Sequence, residues 1–197
     1  MNLRLQRLSY QRIGELADQF LIKFHSSLSL PVPIEELAEQ KLNLKIVQEM
    51  HLKKNYDVDG FLTSDLASIF IDFDLYLRYE NRARFTIAHE IGHFILHGEI
   101  FKDLNINTVE KLDSLATKLT NEKYRWLEYQ AYSFASHVLV PKKLLFGEIK
   151  GRIGKIPNLE APEVLAPIAQ DLLSVFQVSG EVMLRRLGKE GIVNINS

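Results

Sequence analysis

From Arg84 to Gly98 the chain reads RFTIAHEIGHFILHG. Helical spacing spreads Phe85, Ile87, Ala88, Ile91, Phe94, Ile95 and Leu96 over nearly every side of such a helix. A helix apolar all round has to be buried, so the rest of the fold must enclose this one. The same turns carry His89, Glu90 and His93, and a buried carboxylate without a partner is costly. The segment therefore needs both a surrounding core and something for its polar groups to hold. Gly92 adds a further constraint. A mid-helix glycine costs about 0.5–1 kcal/mol relative to alanine, which points to a close approach by another element.

The polar residues spell H-E-x-x-H over His89–His93. Four residues of helix advance about 6 Å and turn about 400°, so the two histidines stack on one face. Their nitrogens can meet at one ion with bonds of about 2.0–2.1 Å. Glu90 follows the first of them, so it stands beside the ion rather than at it. From there it can take a proton from an activated water. These residue types predict a metal site of His89 and His93 with Glu90 as catalytic base.

A catalytic zinc site takes three protein ligands and leaves a position open. Downstream candidates are Asp103, Glu110, Asp113, Glu122, Glu128 and His137. Glu128 is favoured because Ala131 and Ala135 share its helical face and would let that helix approach Gly92. The plainer reading is a surface glutamate near a helix N-terminus, where the dipole favours it. His97 lies about 12 Å along the axis from His89, too far to share its ion on an unbroken helix. It reads as a cationic or hydrogen-bonding residue of the last helical turn, and His137 as a packing residue. His25 and His51 do not connect to the site.

Around this helix the spacing predicts an α+β fold: a small, mainly antiparallel sheet packed against several helices, including the H-E-x-x-H helix, with a helical C-terminal appendage. Helices are expected over 8–24 and after Pro33, a strand over Leu42–Val47, and a hairpin of Gly60–Thr63 and Ala67–Phe73 turning at Ser64-Asp65. The H-E-x-x-H helix should run from about 80 to 97 and stop at Gly98. Helices at 109–120 and 123–139 follow, the second closed by Pro141. Residues 151–162 hold two glycines and two prolines and read as a linker. Helices at 163–176 and 179–187 and a strand at Ile192–Ile195 complete the chain. The domain expectation is a metallopeptidase unit over 1–150 and a linker with a small helical region over 151–197.

Composition removes several alternatives. There is no cysteine among the 197 residues, which excludes disulfides, thiolate zinc sites and cysteine nucleophiles and suits a reducing, cytoplasmic setting. No apolar run approaches the ~20 residues that span a bilayer, and the first twenty residues lack the apolar core of a secretory signal. With 24 basic and 25 acidic residues the net charge is −1, which argues against a surface built for nucleic acid. Helices meeting near Gln177–Ser179 could form a helix-turn-helix. However, the second offers few base-reading side chains, and Arg185 and Arg186 near its end suit the helix dipole. Direct DNA binding and membrane association are therefore not expected.

Two segments, Arg84–His97 and E-x-x-A-x-x-F-A-x-x-x-L-x-P over Glu128–Pro141, together resemble the ImmA/IrrE-type metallopeptidases, as does the order of elements over roughly 30–145. The resemblance implies that Glu128 is the third zinc ligand. It also implies a cytoplasmic zinc endopeptidase with a protein substrate, often a helix-turn-helix transcriptional repressor. The family commonly has Asn where this chain has Tyr132. Leu172–Leu187 also has the look of a helical segment that follows the core in family members. Two histidines and a carboxylate suit Zn²⁺, though Mn²⁺ or Fe²⁺ could occupy the same set. The competing reading is a non-catalytic zinc-containing regulator that binds a repressor or toxin. Glu90 argues against it, since a structural site has no use for a base.

Overall fold

The computed structural model describes residues 5–104, 108, 121–155 and 162–194. The first helix, α1 (Tyr10–Phe24), starts where Ser9 accepts a hydrogen bond from the Arg12 amide, and it buries Ile13, Ala17, Phe20 and Leu21. After Pro33 a short α2 (Ile34–Glu36) widens into a π-turn over Leu37–Lys41. Strand β1 (Lys45–Glu49) follows. The polar stretch after it forms α3 (Leu52–Tyr56), anchored by buried Leu52. The hairpin β2 (Gly60–Leu62) and β3 (Ser68–Asp72) leads directly into α4 (Phe73–Arg78). Asp72 ends the strand and caps the helix, its carboxylate accepting from the Leu75 amide at 3.0 Å. Phe73 therefore begins a helix instead of closing the strand.

The α+β architecture is as expected. Its sheet is mixed, with order β1-β3-β2. The hairpin pairs antiparallel, Phe61 opposite Phe70, whereas β1 runs parallel to β3, Ile46 opposite Ile69. The antiparallel expectation thus covers only the hairpin. The chain leaves β1 through α3 and enters the far edge of the sheet, so β3 arrives beside β1 pointing the same way.

The long helix α5 (Glu80–Leu104) carries the H-E-x-x-H segment. It does not stop at Gly98. Two more turns follow because Phe101 and Leu104 are buried, and that packing outweighs the tendency of glycine to end a helix. Next among the described elements is α6 (Asn121–Leu139). The expected helix at 109–120 lies outside the described residues. The sheet covers one side of α5 and α6 the other, while α1 packs on the outer face of α6. This layering of sheet, α5, α6 and α1 encloses the apolar helix as its sequence requires.

Pro141 ends α6 but also opens α7 (Lys142–Ile153), which buries Leu145 and Ile149. Proline suits a helix start, where its missing N–H is no loss. The two tail helices are α8 (Pro162–Phe176) and α9 (Gly180–Lys189), the second capped by Ser179. No strand forms over residues 192–194. Ile192 and Val193 are buried in irregular backbone, so their apolar pair serves packing rather than pairing. Ile195 lies outside the described residues. Among the described residues no helix is long and apolar enough to cross a membrane.

Candidate metal centre

His89 and His93 stand one turn apart on α5 with their Nε2 atoms 3.0 Å from each other. From α6, Glu128 places Oε2 at 3.2 Å from His89 Nε2 and Oε1 at 3.4 Å from His93 Nε2. What brings the helices this close is Gly92. A Cβ built there would lie 3.0 Å from both the Cα and the carbonyl oxygen of Ala131, so α5 and α6 cross backbone against backbone. The glycine and the alanine at Ala131 thus serve the close approach expected of them.

The triad fits a metal. Ligands at about 2.0–2.1 Å on the corners of a tetrahedron lie about 3.3–3.4 Å apart, and the three spacings here are 3.0, 3.2 and 3.4 Å. Two ring nitrogens and a carboxylate converge with no donor among them except a shared proton, an arrangement a dication satisfies fully. Among the described residues these three form a cluster able to hold a metal ion. Burial raises the cost of charge on Glu128, yet hydrogen bonding to His89 and His93 outweighs it and holds its carboxyl below the usual range. For His89, burial works against protonation, but Glu128 beside it tips the balance upward.

The other candidate ligands lie elsewhere. Asp103 is exposed near the end of α5, and Glu122 pairs with Arg7. His137 packs against Tyr10, ring centres 4.5 Å apart, with its Nδ1–H donating to the Ser133 carbonyl. Glu110 and Asp113 lie outside the described residues.

His97 has a supporting part. Its Nδ1 faces His93 Nδ1 at 3.1 Å. Burial, with His93 beside it, pushes its pKa down to about 2, so it is neutral and of the two earlier readings the hydrogen-bonding one applies. For His93 to offer Nε2 to a metal, its proton must sit on Nδ1, and His97 is the acceptor that holds it there. His97→Phe keeps the volume and removes that acceptor. The expected result is a loss of about 10–100-fold in divalent-metal affinity, read by competition with a chelator. Unchanged affinity would leave His97 a packing residue.

The triad opens into a cleft of about 360 Å³. Glu90 lines it while itself only 6% exposed. Burial pushes its carboxyl above the ordinary range, against the opposing pull of His93 and His89 and a backbone hydrogen bond from Leu62. Gly60, Phe61 and Leu62 of β2 form the facing wall. The opposite edge of β2 is unpaired in the sheet.

Sequence reasoning missed Tyr124, which stands one turn before Glu128 and lines the same cleft. Partial burial, with Glu128 and Glu90 nearby, pushes its phenol up to about 12, so it keeps its proton. The i−4 spacing from Glu128 was the available signal. Tyr129 and Tyr132, one and four residues after Glu128 in sequence, instead border a separate cavity toward α9.

Comparisons with known proteins extend this picture. A peptidase family described as an IrrE N-terminal-like domain matches residues 42–188, a span that includes α5 and α6, the helices that carry the triad. Among solved structures, a Mycobacterium tuberculosis transcriptional regulator is similar in fold, with a TM-score of 0.57 at 17% sequence identity. The match covers 91% of this chain and 58% of that one, so this chain spans little more than half the regulator's length. No curated protein matches the sequence.

Proposed function

Because the chain belongs to the IrrE N-terminal-like domain family, we propose that it is a zinc-dependent endopeptidase with His89, His93 and Glu128 as ligands and Glu90 as catalytic base. The observation that carries this reading is the placement of Glu90. It is a buried carboxylate at the wall of the cleft, beside the triad but outside it. A purely structural site has no need of it.

Zinc held by the triad would supply Lewis acidity toward a water molecule and the scissile carbonyl. Glu90 takes the proton of the attacking water on a carboxylate oxygen and delivers it to the leaving amide nitrogen. Its raised pKa suits both halves of that transfer. Tyr124 offers a phenolic donor for the oxygen on which charge develops. An extended peptide lies along the free edge of β2, matched by backbone hydrogen bonds. We assign the peptidase unit to residues 1–150 and a linker with a helical region to 151–197, although α7 runs on to Ile153. The substrate is a specific protein, a helix-turn-helix transcriptional repressor, and the setting is the cytoplasm.

The test is elemental analysis of the purified chain and of Glu128→Ala, prepared without chelator. About one zinc per chain in the parent and a clear loss in the variant are expected. Zinc in neither protein after reconstitution would overturn the proposal.

A further inference from the structure

Two rings stand between the metal cleft and a second cavity, of about 260 Å³, that α6 shares with α9. Phe85 of α5 lines the cleft, and Tyr132 of α6 lines the cavity behind it. Their ring centres lie 4.9 Å apart at a tilt of 57°, so the two side chains pack directly on each other. Helical spacing explains the pairing. Phe85 stands one turn before His89 and Tyr132 one turn after Glu128, so each helix places a ring one turn from a ligand, on the same side of the triad. Phe85 is half-buried, and its ring is a wall that a molecule in the cleft can reach.

This end of the cleft is also tight on the side of the sheet. A Cβ added at Gly60 of β2 would lie 2.8 Å from Thr86 Cγ2, so strand and helix touch beside Phe85. A phenylalanine at the edge of a cleft ordinarily swings aside for a bulky ligand, but Phe85 has Tyr132 behind it. Tyr132 in turn has Arg185 of α9 at 5.4 Å over its ring, and Arg185 pairs with Glu181 at 2.8 Å. The buried hydroxyl of Tyr132 makes no hydrogen bond among the described residues. What Tyr132 contributes is therefore its ring, which occupies the space into which Phe85 would retreat.

We propose that Phe85, backed by Tyr132, sets the specificity of the metal cleft: this end admits a small side chain next to the scissile bond and excludes an aromatic one. The inference rests on the peptidase reading and narrows its substrate class to a protein cut beside glycine, alanine or serine. Phe85 meets the substrate, and Tyr132 is a positioning residue that acts through it. Selection arises from a clash with the wrong side chain rather than from an added attraction to the right one. Room for a larger group lies behind the rings. An apolar void of about 150 Å³ accepts benzene, and the cavity that Tyr132 closes off is larger, at about 260 Å³.

The test uses the zinc-loaded full chain and two chelating probes that are not cleaved, acetohydroxamate and phenylacetohydroxamate. Titration calorimetry gives the ratio of their affinities. Phe85→Ala and Tyr132→Ala should each shift that ratio toward the phenyl compound by at least about tenfold. Tyr132→Phe keeps the ring and should keep the parent's ratio. Mass spectrometry of a degenerate peptide mixture supplies a second readout. One position beside the cut should be confined to small residues in the parent and open to Phe and Leu in both alanine variants. If Tyr132→Ala folds poorly, Phe85→Ala decides, because its side chain faces the cleft. An unshifted ratio in zinc-loaded Phe85→Ala would overturn the proposal and leave the peptidase reading standing, and a shift in Phe85→Ala alone would overturn the part given to Tyr132. A zinc-loaded parent that binds neither hydroxamate would remove the peptidase reading, and the proposal with it.

Discussion

Glu90→Gln is expected to keep its zinc and lose peptide cleavage. Glutamine has nearly the same shape, so the triad is undisturbed and metal content should equal that of the parent. It has no carboxylate to receive the proton of the attacking water and none to return to the leaving nitrogen. General base or acid assistance is worth about 10²–10⁴-fold per proton transfer, and in the proposed mechanism one residue performs both. A fall in kcat of at least about 10³-fold follows, measured by mass spectrometry of a candidate repressor incubated with each protein. Stability supplies a second readout. Glu90 is held in a buried site that raises its pKa, so neutralising it should leave the melting temperature of the metal-free protein unchanged or higher. Cleavage near the parent rate by a zinc-loaded variant would remove Glu90 from the chemistry.

Gly92→Val should weaken the fold and empty the metal centre together. A Cβ at this position would sit 3.0 Å from two backbone atoms of Ala131, and valine adds two more methyl groups in the same seam. Helix propensity favours replacing glycine by up to about 1 kcal/mol, but overpacking of this kind costs about 1–3 kcal/mol. The clash wins because backbone atoms cannot rotate aside. Relief comes only by moving α6 outward, and α6 carries Glu128. A loss of roughly 2 kcal/mol in stability with at least about a hundredfold drop in zinc affinity is expected, from thermal unfolding and chelator competition. Gly92→Ala should fall between: little change in stability and a smaller loss of affinity. Parent-like zinc affinity in Gly92→Val would mean that the helix crossing does not set the position of Glu128.

That His89, Glu90 and His93 share one stretch of helix was legible in the sequence because helical periodicity is local. His89, Glu90 and His93 take their relative places from the rise and turn of one helix, whatever surrounds it. Glu128 could be argued from the small residues that share its face, since small residues state where helices touch. What the sequence concealed depended on partners distant along the chain. Gly98 looks like a helix end until Phe101 packs against His93, ring centres 4.8 Å apart, and keeps the helix going. The alternation of β1 marks a strand but carries no information about its direction relative to β3. Pro141 marks the end of α6 in the sequence but not the start of α7, because only Leu145 and Ile149 of α7 are fully buried, while Leu144, Phe146 and Ile153 are partly buried around them. Tyr124 escaped because a tyrosine before a ligand is unremarkable until a cleft opens beside it.

The contact between Tyr10 and Arg186 spans 176 positions of the chain. At synthesis rates of about 5–20 residues per second, roughly nine to thirty-five seconds separate the two residues during translation. All three residues of the triad have been made by position 128, before Arg186 exists to fasten α1 to α9. A nascent chain therefore holds all three residues of the triad before the contact between α1 and α9 can form.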